Sequence, residues 1–280
     1  MSRSPVLPVI AALPLVLVGA RAARAEEAPP KAPPPLVVTV VYDNNAHDAR
    51  LTTAWGFGCV VQGLPKTILF DTGGKGSVLL GNMRTLGIKP GDIDVVVLSH
   101  RHNDHVGGLG AFLKQNKDVT VFLPATFPER LKGDVRAVGA KVVETGKPQA
   151  VCAGARTTGV LGTAIKEQGL CVETPDGLLV ITGCAHPGVV HMVGIAKEHS
   201  GKPVWAVVGG FHLLHARKTE LSGVIKRLRQ LGVSKVGPCH CSGKRTRQLM
   251  KEAFKENYIE LGAGTRITLP RRAEPAKERE

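Results

Sequence analysis

One stretch dictates what the rest of the chain must build. Leu98-Ser-His-Arg-His-Asn-Asp-His-Val-Gly-Gly-Leu109 places His100, His102, Asp104 and His105 within six positions, directly behind an apolar run. That run, residues 92–98 (DIDVVVL), is short, β-branched and without helical period, so it reads as a buried strand opening into a loop at Ser99. Side chains alternate along an extended segment, which points His100 and His102 the same way and lets them share one ion. Asp104 and His105 follow the turn and face a second position, with Gly107-Gly108 allowing a tight backbone behind them. Imidazole with carboxylate suits zinc, manganese or iron rather than calcium or magnesium. The competing reading is three solvated loop histidines beside a helix-capping Asp104. So dense a set of ligand-type residues rarely needs it.

The second half repeats the arrangement of a strand followed by a ligand. Residues 178–182 (LLVIT) form a buried strand, followed by Gly183-Cys184-Ala185-His186-Pro187-Gly188, in which Pro187 suits a first helical position. An apolar helix over 189–196 leads to a strand at 204–208, which ends in Gly209-Gly210-Phe211-His212. A helix over about 218–231 carries Leu221, Ile225 and Leu228 on one face. Residues 233–236 then run into Gly237-Pro238-Cys239-His240-Cys241-Ser242-Gly243, and a helix continues to about 256. Each of these three units puts a histidine at the carboxyl end of a strand, where open parallel sheets hold their ligands.

Upstream, residues 36–42 (LVVTVVY), 56–61 and 67–70 are strand-like. Asp43-Asn44 closes the first strand, as a simple turn or at the rim of the site. Asp71 ends the third strand, and its expected role is support: a carboxylate accepting hydrogen bonds behind the metal loop. Helices are expected over 78–86 and 109–115, and a strand over 119–123. Residues 124–169 are rich in Gly, Pro and Lys with weak periodicity, and read as short strands and loops covering the site.

The chain begins with an address. Residues 1–25 carry one early cation, Arg3, an apolar stretch over 6–20, and Ala23-Arg24-Ala25 before Glu26-Glu27, the form of a signal peptide cleaved after Ala25. The stretch is shorter than the roughly 20 residues a membrane span needs and is broken by Pro8 and Pro14, so no stable anchor is expected after cleavage. Residues 26–35 make a Pro-rich linker, and 270–280 a charged tail. The mature protein is expected to be exported, to the periplasm. Loss of Arg3, Arg21 and Arg24 lowers the formal charge from +14 to +11, which favours an anionic small-molecule partner. A solvated basic surface accounts for much of the same excess. Aromatic residues are only 4% and no basic, aromatic-interleaved stretch exists, so no nucleic-acid partner is expected. Of the six cysteines, Cys152 and Cys171 are conceivable partners for a bridge across a hairpin. Cys184, Cys239 and Cys241 stand near ligand candidates, either as buried small side chains or as thiolate ligands.

The HxHxDH pattern resembles the signature of the metallo-β-lactamase superfamily, and Ile68-Leu-Phe-Asp71-Thr-Gly73 resembles its second-strand motif. The resemblance covers about residues 36–269, one domain. It implies an α/β fold, a four-layer αβ/βα sandwich with metals at one edge. Carried over residue by residue, His100, His102 and His186 match the first metal site, and Asp104, His105 and His240 the second. Many hydrolases of this superfamily have a bridging aspartate or cysteine at the position reached here by residues 209–212, where no acid stands. His212 is then open to three roles: ligand, substrate contact or proton donor. The set FDTG, SHxHxDHxGGL, GCAHPG, GGFHL and GPCHCSG resembles the branch of 7,8-dihydropterin-6-yl-methyl-4-(β-D-ribofuranosyl)aminobenzene-5′-phosphate synthase-like proteins.

The chemistry expected of such a site is metal-assisted hydrolysis, or a transfer by the same centre. One or two divalent transition metals, zinc foremost, lower the pKa of bound water to about 7. Asp104 and His212 are the expected catalytic side chains. Lys244 and Arg245, at the start of the last long helix, either meet a substrate phosphate or are solvated first-turn cations. A phosphoester or phosphate-bearing small molecule is the expected substrate. The alternatives are a β-lactamase or lactonase, or a metal-binding protein whose missing acid has removed catalysis.

Overall fold

The computed structural model describes residues 34–269 together with Met1. The expected signal segment beyond Met1, most of the linker and the charged tail lie outside them. The first half supplies β1 (Leu36–Asp43), β2 (Phe57–Gln62), β3 (Ile68–Phe70), α1 (Gly76–Thr85), β4 (Val95–Val97), the one-turn α2 (Asn103–Val106) and α3 (Leu109–Gln115). β5 (Thr120–Pro124), α4 (Glu129–Ala137) and β6 (Lys141–Thr145) follow. The second half comprises β7 (Ala150–Cys152), β8 (Ala155–Thr157), β9 (Leu170–Thr174), β10 (Gly177–Thr182), α5 (Val189–Ser200) and β11 (Val204–Gly210). It closes with α6 (Lys218–Gln230), β12 (Lys235–Cys239), α7 (Lys244–Phe254) and β13 (Arg266–Leu269).

Two sheets result, a seven-stranded one in the order β13-β1-β2-β3-β4-β5-β6 and a six-stranded one in the order β12-β11-β10-β9-β8-β7. The alternation of side chains shows how they stack. Val95 and Val97 of β4, with Leu36, Val38 and Val40 of β1, share one buried cluster with Leu179 and Ile181 of β10 and Ala206 and Val208 of β11. The sheets therefore pack face to face, and Phe57 and Phe70 meet edge-on in this layer at 6.4 Å. Truncating either ring to Ala would cost about 3–5 kcal/mol. The opposite faces are covered too: Val96 and Leu98 pack with Leu79 and Met83 of α1 and Phe112 of α3. Val180 and Val207 pack with Met192 of α5, Leu228 of α6 and Met250 of α7. Strands buried on both faces need continuous apolar runs, which explains LVVTVVY and LLVIT. A register shift between Val40 and Tyr42 changes the phase of β1, so that Val41 and Tyr42 both join the outer cluster. The layers run helix, sheet, sheet, helix, the αβ/βα sandwich expected.

Residues 124–169 hold the short strands expected, β6 in the first sheet and β7 and β8 in the second, with residues 162–165 bordering the site; the helix α4 was not expected there. The weak periodicity there reflects short, partly exposed edge elements. No bridge joins Cys152 to Cys171, whose thiol is free, and β8 places Arg156 opposite Cys171 in register. Among the described residues no helix is long and apolar enough to cross a membrane.

Candidate metal centre

The site lies where parallel strands end. β3 and β4 run parallel in the first sheet, and β10, β11 and β12 in the second. β3 delivers Asp71, β4 delivers Ser99 and His100, and the chain turns into α2 with His102 before it and Asp104 and His105 within it. The second sheet delivers Cys184 and His186 after β10, His212 after β11 and His240 after β12. Four non-glycine residues at these strand ends take left-handed backbone angles: Asp71 (φ 55°), Ala185 (58°), His212 (53°) and His240 (48°). Gly107 and Gly108 are needed for close approach: a Cβ would stand 2.4 Å from Gly74 O and 2.1 Å from Thr72 O.

Hydrogen bonds decide which imidazole nitrogen faces inward. Asp71, fully buried, accepts Ser99 N–H (2.7 Å), the Ser99 hydroxyl (2.6 Å) and His105 Nδ1 (2.7 Å). With its own proton committed to Asp71, Ser99 Oγ accepts from His100 Nδ1 at 2.9 Å. His240 Nδ1 donates to Asn44 Oδ1 (2.9 Å), whose amide nitrogen donates back to His240 O (3.4 Å). His100, His105 and His240 are thus protonated on Nδ1 and present bare Nε2 atoms inward. Supporting partners of this kind fix ring orientation and raise ligand basicity. His102 approaches from the loop, its Nδ1 3.1 Å from His100 Nε2.

Two compact sets of donor atoms emerge. Asp104, His105, Cys184 and His240 form one, with ligand atoms within 4.8 Å of one another; His100, Cys184 and His186 form another by the same measure. A third, Cys184, His212 and Cys241, adjoins them. His102 is outside these sets, although its ring centroid lies 4.9 Å from that of His186. Asp104 Oδ2 stands 3.2 Å from His240 Nε2 and 3.6 Å from His105 Nε2. Burial raises the Asp104 carboxyl, but its contacts with the His240 and His105 rings, once those rings are protonated, outweigh it and hold the group below its ordinary range. Burial, with the neighbouring His212 and His102, holds His186 down to about 4. The hydrogen bond to Cys241 raises His212.

Two supports escaped sequence reading. Glu167 is fully buried; its Oε1 accepts the N–H groups of Cys184 (2.9 Å) and Ala185 (2.8 Å), and its Oε2 that of His186 (2.9 Å). Burial pushes its carboxyl up to about 7 against these donors. Gln168 beside it donates to Leu98 O (2.9 Å) and accepts from Thr145 (2.7 Å). Asp43, also buried, accepts His240 N–H at 3.2 Å, so the rim reading of Asp43-Asn44 is the one realised.

The mouth is lined unevenly. A hollow of about 510 Å³ is bounded by Trp55, His212, Leu213, Leu214, His215 and Cys241 among others. A second, of about 540 Å³, is bounded by residues 162–165 with His186, Pro187, His191 and His212. Trp55 also meets the His240 ring at 4.8 Å. His191 and His215 therefore border the site; His47 and His199 do not line these hollows. Lys244 and Arg245 are exposed on the first turn of α7 and line neither hollow.

Two sheets stacked face to face, with histidines and an aspartate gathered at the carboxyl ends of their parallel strands, define a metal-site αβ/βα sandwich. The family profile described as metallo-beta-lactamase superfamily matches residues 60–240, and the chain belongs to that superfamily. The 7,8-dihydropterin-6-methyl-4-(beta-D-ribofuranosyl)-aminobenzene-5'-phosphate synthase of Methanocaldococcus jannaschii is 31% identical over 277 residues, spanning 81% of this chain and 94% of its own. Among solved structures, Tm1679, a metal-dependent hydrolase of the beta-lactamase superfamily, has a TM-score of 0.70 at 28% identity, covering 84% of this chain and 99% of its own. YhfI from Bacillus subtilis shares the fold with a TM-score of 0.64 at 14% identity, over 84% of this chain and 99% of its own.

Proposed function

We propose that this chain is an exported, metal-dependent hydrolase acting on a phosphate-bearing small molecule. The observation that carries the reading is the convergence of bare Nε2 atoms from His100, His105 and His240 beside Asp104 and His186. The donor set fits a metal: the buried Nε2 of His186 has no hydrogen-bond partner, and that of His240 faces only the Asp104 carboxylate at 3.2 Å, a costly state unless a ligand meets them. His100 and His186, with His102 beside them, would hold one ion, and Asp104, His105 and His240 the other. Divalent metal there, zinc foremost, supplies Lewis acidity and a nucleophile at neutral pH.

The chain's own groups do the rest. Asp104, kept ionised, orients the attacking water by accepting its hydrogen bond. His212, at the junction of the two hollows, carries a proton to the leaving group. A formal charge of +11 after loss of residues 1–25 favours an anionic substrate, and the phosphate in the product name of the Methanocaldococcus jannaschii synthase supports the same class. That name also supports a transfer in place of hydrolysis. A second reading, a β-lactamase or lactonase, is favoured by the apolar rim of Trp55 and Leu214, 50% and 45% exposed beside His212. The signal-like segment supports export, testable by fractionation and the mass of the mature N terminus.

The test is metal content by elemental mass spectrometry for the wild-type chain, His100→Ala and His240→Ala, followed by chromogenic substrates. About two ions per chain, reduced in each variant, with turnover of a phosphodiester over a cephalosporin, are expected. Preference for the cephalosporin overturns the phosphoester reading. Metal retained without turnover of either overturns the hydrolase.

A further inference from the structure

No acid stands at residues 209–212, and the crowding at Gly210 leads to another residue. A side chain at Gly210 has no room: its Cβ would stand 2.2 Å from Gly183 O, 2.8 Å from Cys241 Sγ and 3.2 Å from Cys184 Cα. The space an acid would enter is held by the chain around Cys184. Cys184 is also the one residue common to both principal donor sets, that of Asp104, His105 and His240 and that of His100 and His186. Its Sγ stands 3.2 Å from His105 Nε2, whose other nitrogen is tied to Asp71. Two ligands of one tetrahedral ion, at ~2.0 Å for nitrogen and ~2.3 Å for sulfur, stand roughly 3.5 Å apart, close to that separation.

We propose that Cys184 is the bridging ligand of this centre, its sulfur shared between the two metal positions in place of the bridging carboxylate. This rests on the metal-centre reading above. The placement is built into the backbone: Glu167 fixes Cys184 N–H, and β10 ends so that the side chain enters between the two histidine groups. The buried Nε2 atoms of His186, unpartnered, and of His240, facing only Asp104, belong to opposite sets that both include Cys184. On ligation the thiol proton passes to buffer, and the sulfur lone pairs form the two bonds to metal. Cys241 is the rival sulfur, but it joins only the set containing His212. A thiolate at the shared position also selects zinc, cobalt or iron over manganese and magnesium.

The full chain, stripped of metal and titrated with Co(II), tests this by thiolate-to-cobalt charge-transfer absorption in the near ultraviolet. The band is expected in the wild type and in Cys241→Ser, and is expected to vanish in Cys184→Ser, with Co(II) affinity lowered by more than about tenfold. X-ray absorption of the zinc-loaded wild type needs no variant: a shared sulfur gives one sulfur neighbour per zinc, at about 2.3 Å, whereas a terminal one gives half that average. Co(II) bound without the band, a band that survives in Cys184→Ser, or the halved sulfur count overturns the bridge and leaves the metal centre standing. Co(II) bound without the band would leave the contact to His105 as an S–H···N hydrogen bond. A wild-type chain that binds no Co(II) overturns the metal centre and the bridge together.

Discussion

Asp71 Oδ2 lies 2.7 Å from His105 Nδ1 and 2.6 Å from the Ser99 hydroxyl, so one carboxylate oxygen sets the orientation of two metal-facing histidines, His105 directly and His100 through Ser99. Asp71→Asn keeps the shape but turns an N–H₂ toward at least one donor. Metal affinity is expected to fall by about 10- to 100-fold, measured by competition with a chelator. The metal-free protein is expected to lose about 1–3 kcal/mol through the unsatisfied buried donor. Unchanged affinity would refute the supporting role.

Glu167 does for the second sheet what Asp71 does for the first, by gathering three backbone N–H groups around His186. In Glu167→Gln the carbonyl oxygen keeps at most one side of this arrangement, and the amide opposes a donor on the other. Denaturant unfolding should show a loss of about 1–3 kcal/mol, with metal content lowered while His186 itself is intact. Glu167→Asp, which keeps the charge but shortens the reach, is expected to retain more metal than the Gln variant.

Space around glycines predicts opposite effects at two positions. Gly210→Ala drives a Cβ to 2.2 Å from Gly183 O, in rigid backbone, and is expected to destabilise by at least about 1–3 kcal/mol. Gly210→Asp should be worse, and should not add a metal ligand. Gly110→Ala on α3 meets nothing within 4 Å and is expected to stabilise by about 0.4–1 kcal/mol. Thermal unfolding of the three variants side by side would expose an error in either direction.

Away from the site, Lys132 Nζ donates to Ala125 O, Glu129 Oε1 and Glu144 Oε2, each at 2.7 Å. The hydrogen bonds to Glu129 and Glu144 raise Lys132, and the bond from Lys132, aided by Arg136, lowers Glu144. A carboxylate lowered on folding contributes stability that is present above its unfolded value, about 4.3, and lost as pH falls through the folded value. A raised lysine contributes stability that is present below about 10.4 and lost as pH rises through the folded value. Lys132→Met should therefore flatten both the acid and the alkaline limb of Tm against pH, and parallel curves for variant and wild type would count against the network.

The sequence disclosed the site wherever ligands were local. HxHxDH and the three histidines at strand ends announce themselves because strand, turn and ligand are contiguous, and α3 falls on the residues its pattern marks. What stayed hidden depends on contacts between distant segments. Glu167 reaches His186 across 19 positions from a stretch without periodicity, and Asn44 reaches His240 across 196. No local rule links such residues. α4 was missed because only Lys132 and Val135 of its nine residues are buried, too few to write an apolar stripe. The absent acid was visible in the sequence, but the crowding at Gly210 exists only in three dimensions.

The left-handed angles at Asp71, Ala185, His212 and His240 carry a consequence for anyone seeking a hardier variant. Substituting glycine or asparagine at such positions relaxes the backbone, so a search guided by thermal tolerance alone will be drawn to the carboxyl ends of these strands. Those gains would loosen the side chains that the folded chain holds in place against their own preference. Robustness and competence compete here at the same four residues, and selection for one without assay of the other would yield a sturdier molecule with nothing left to grip.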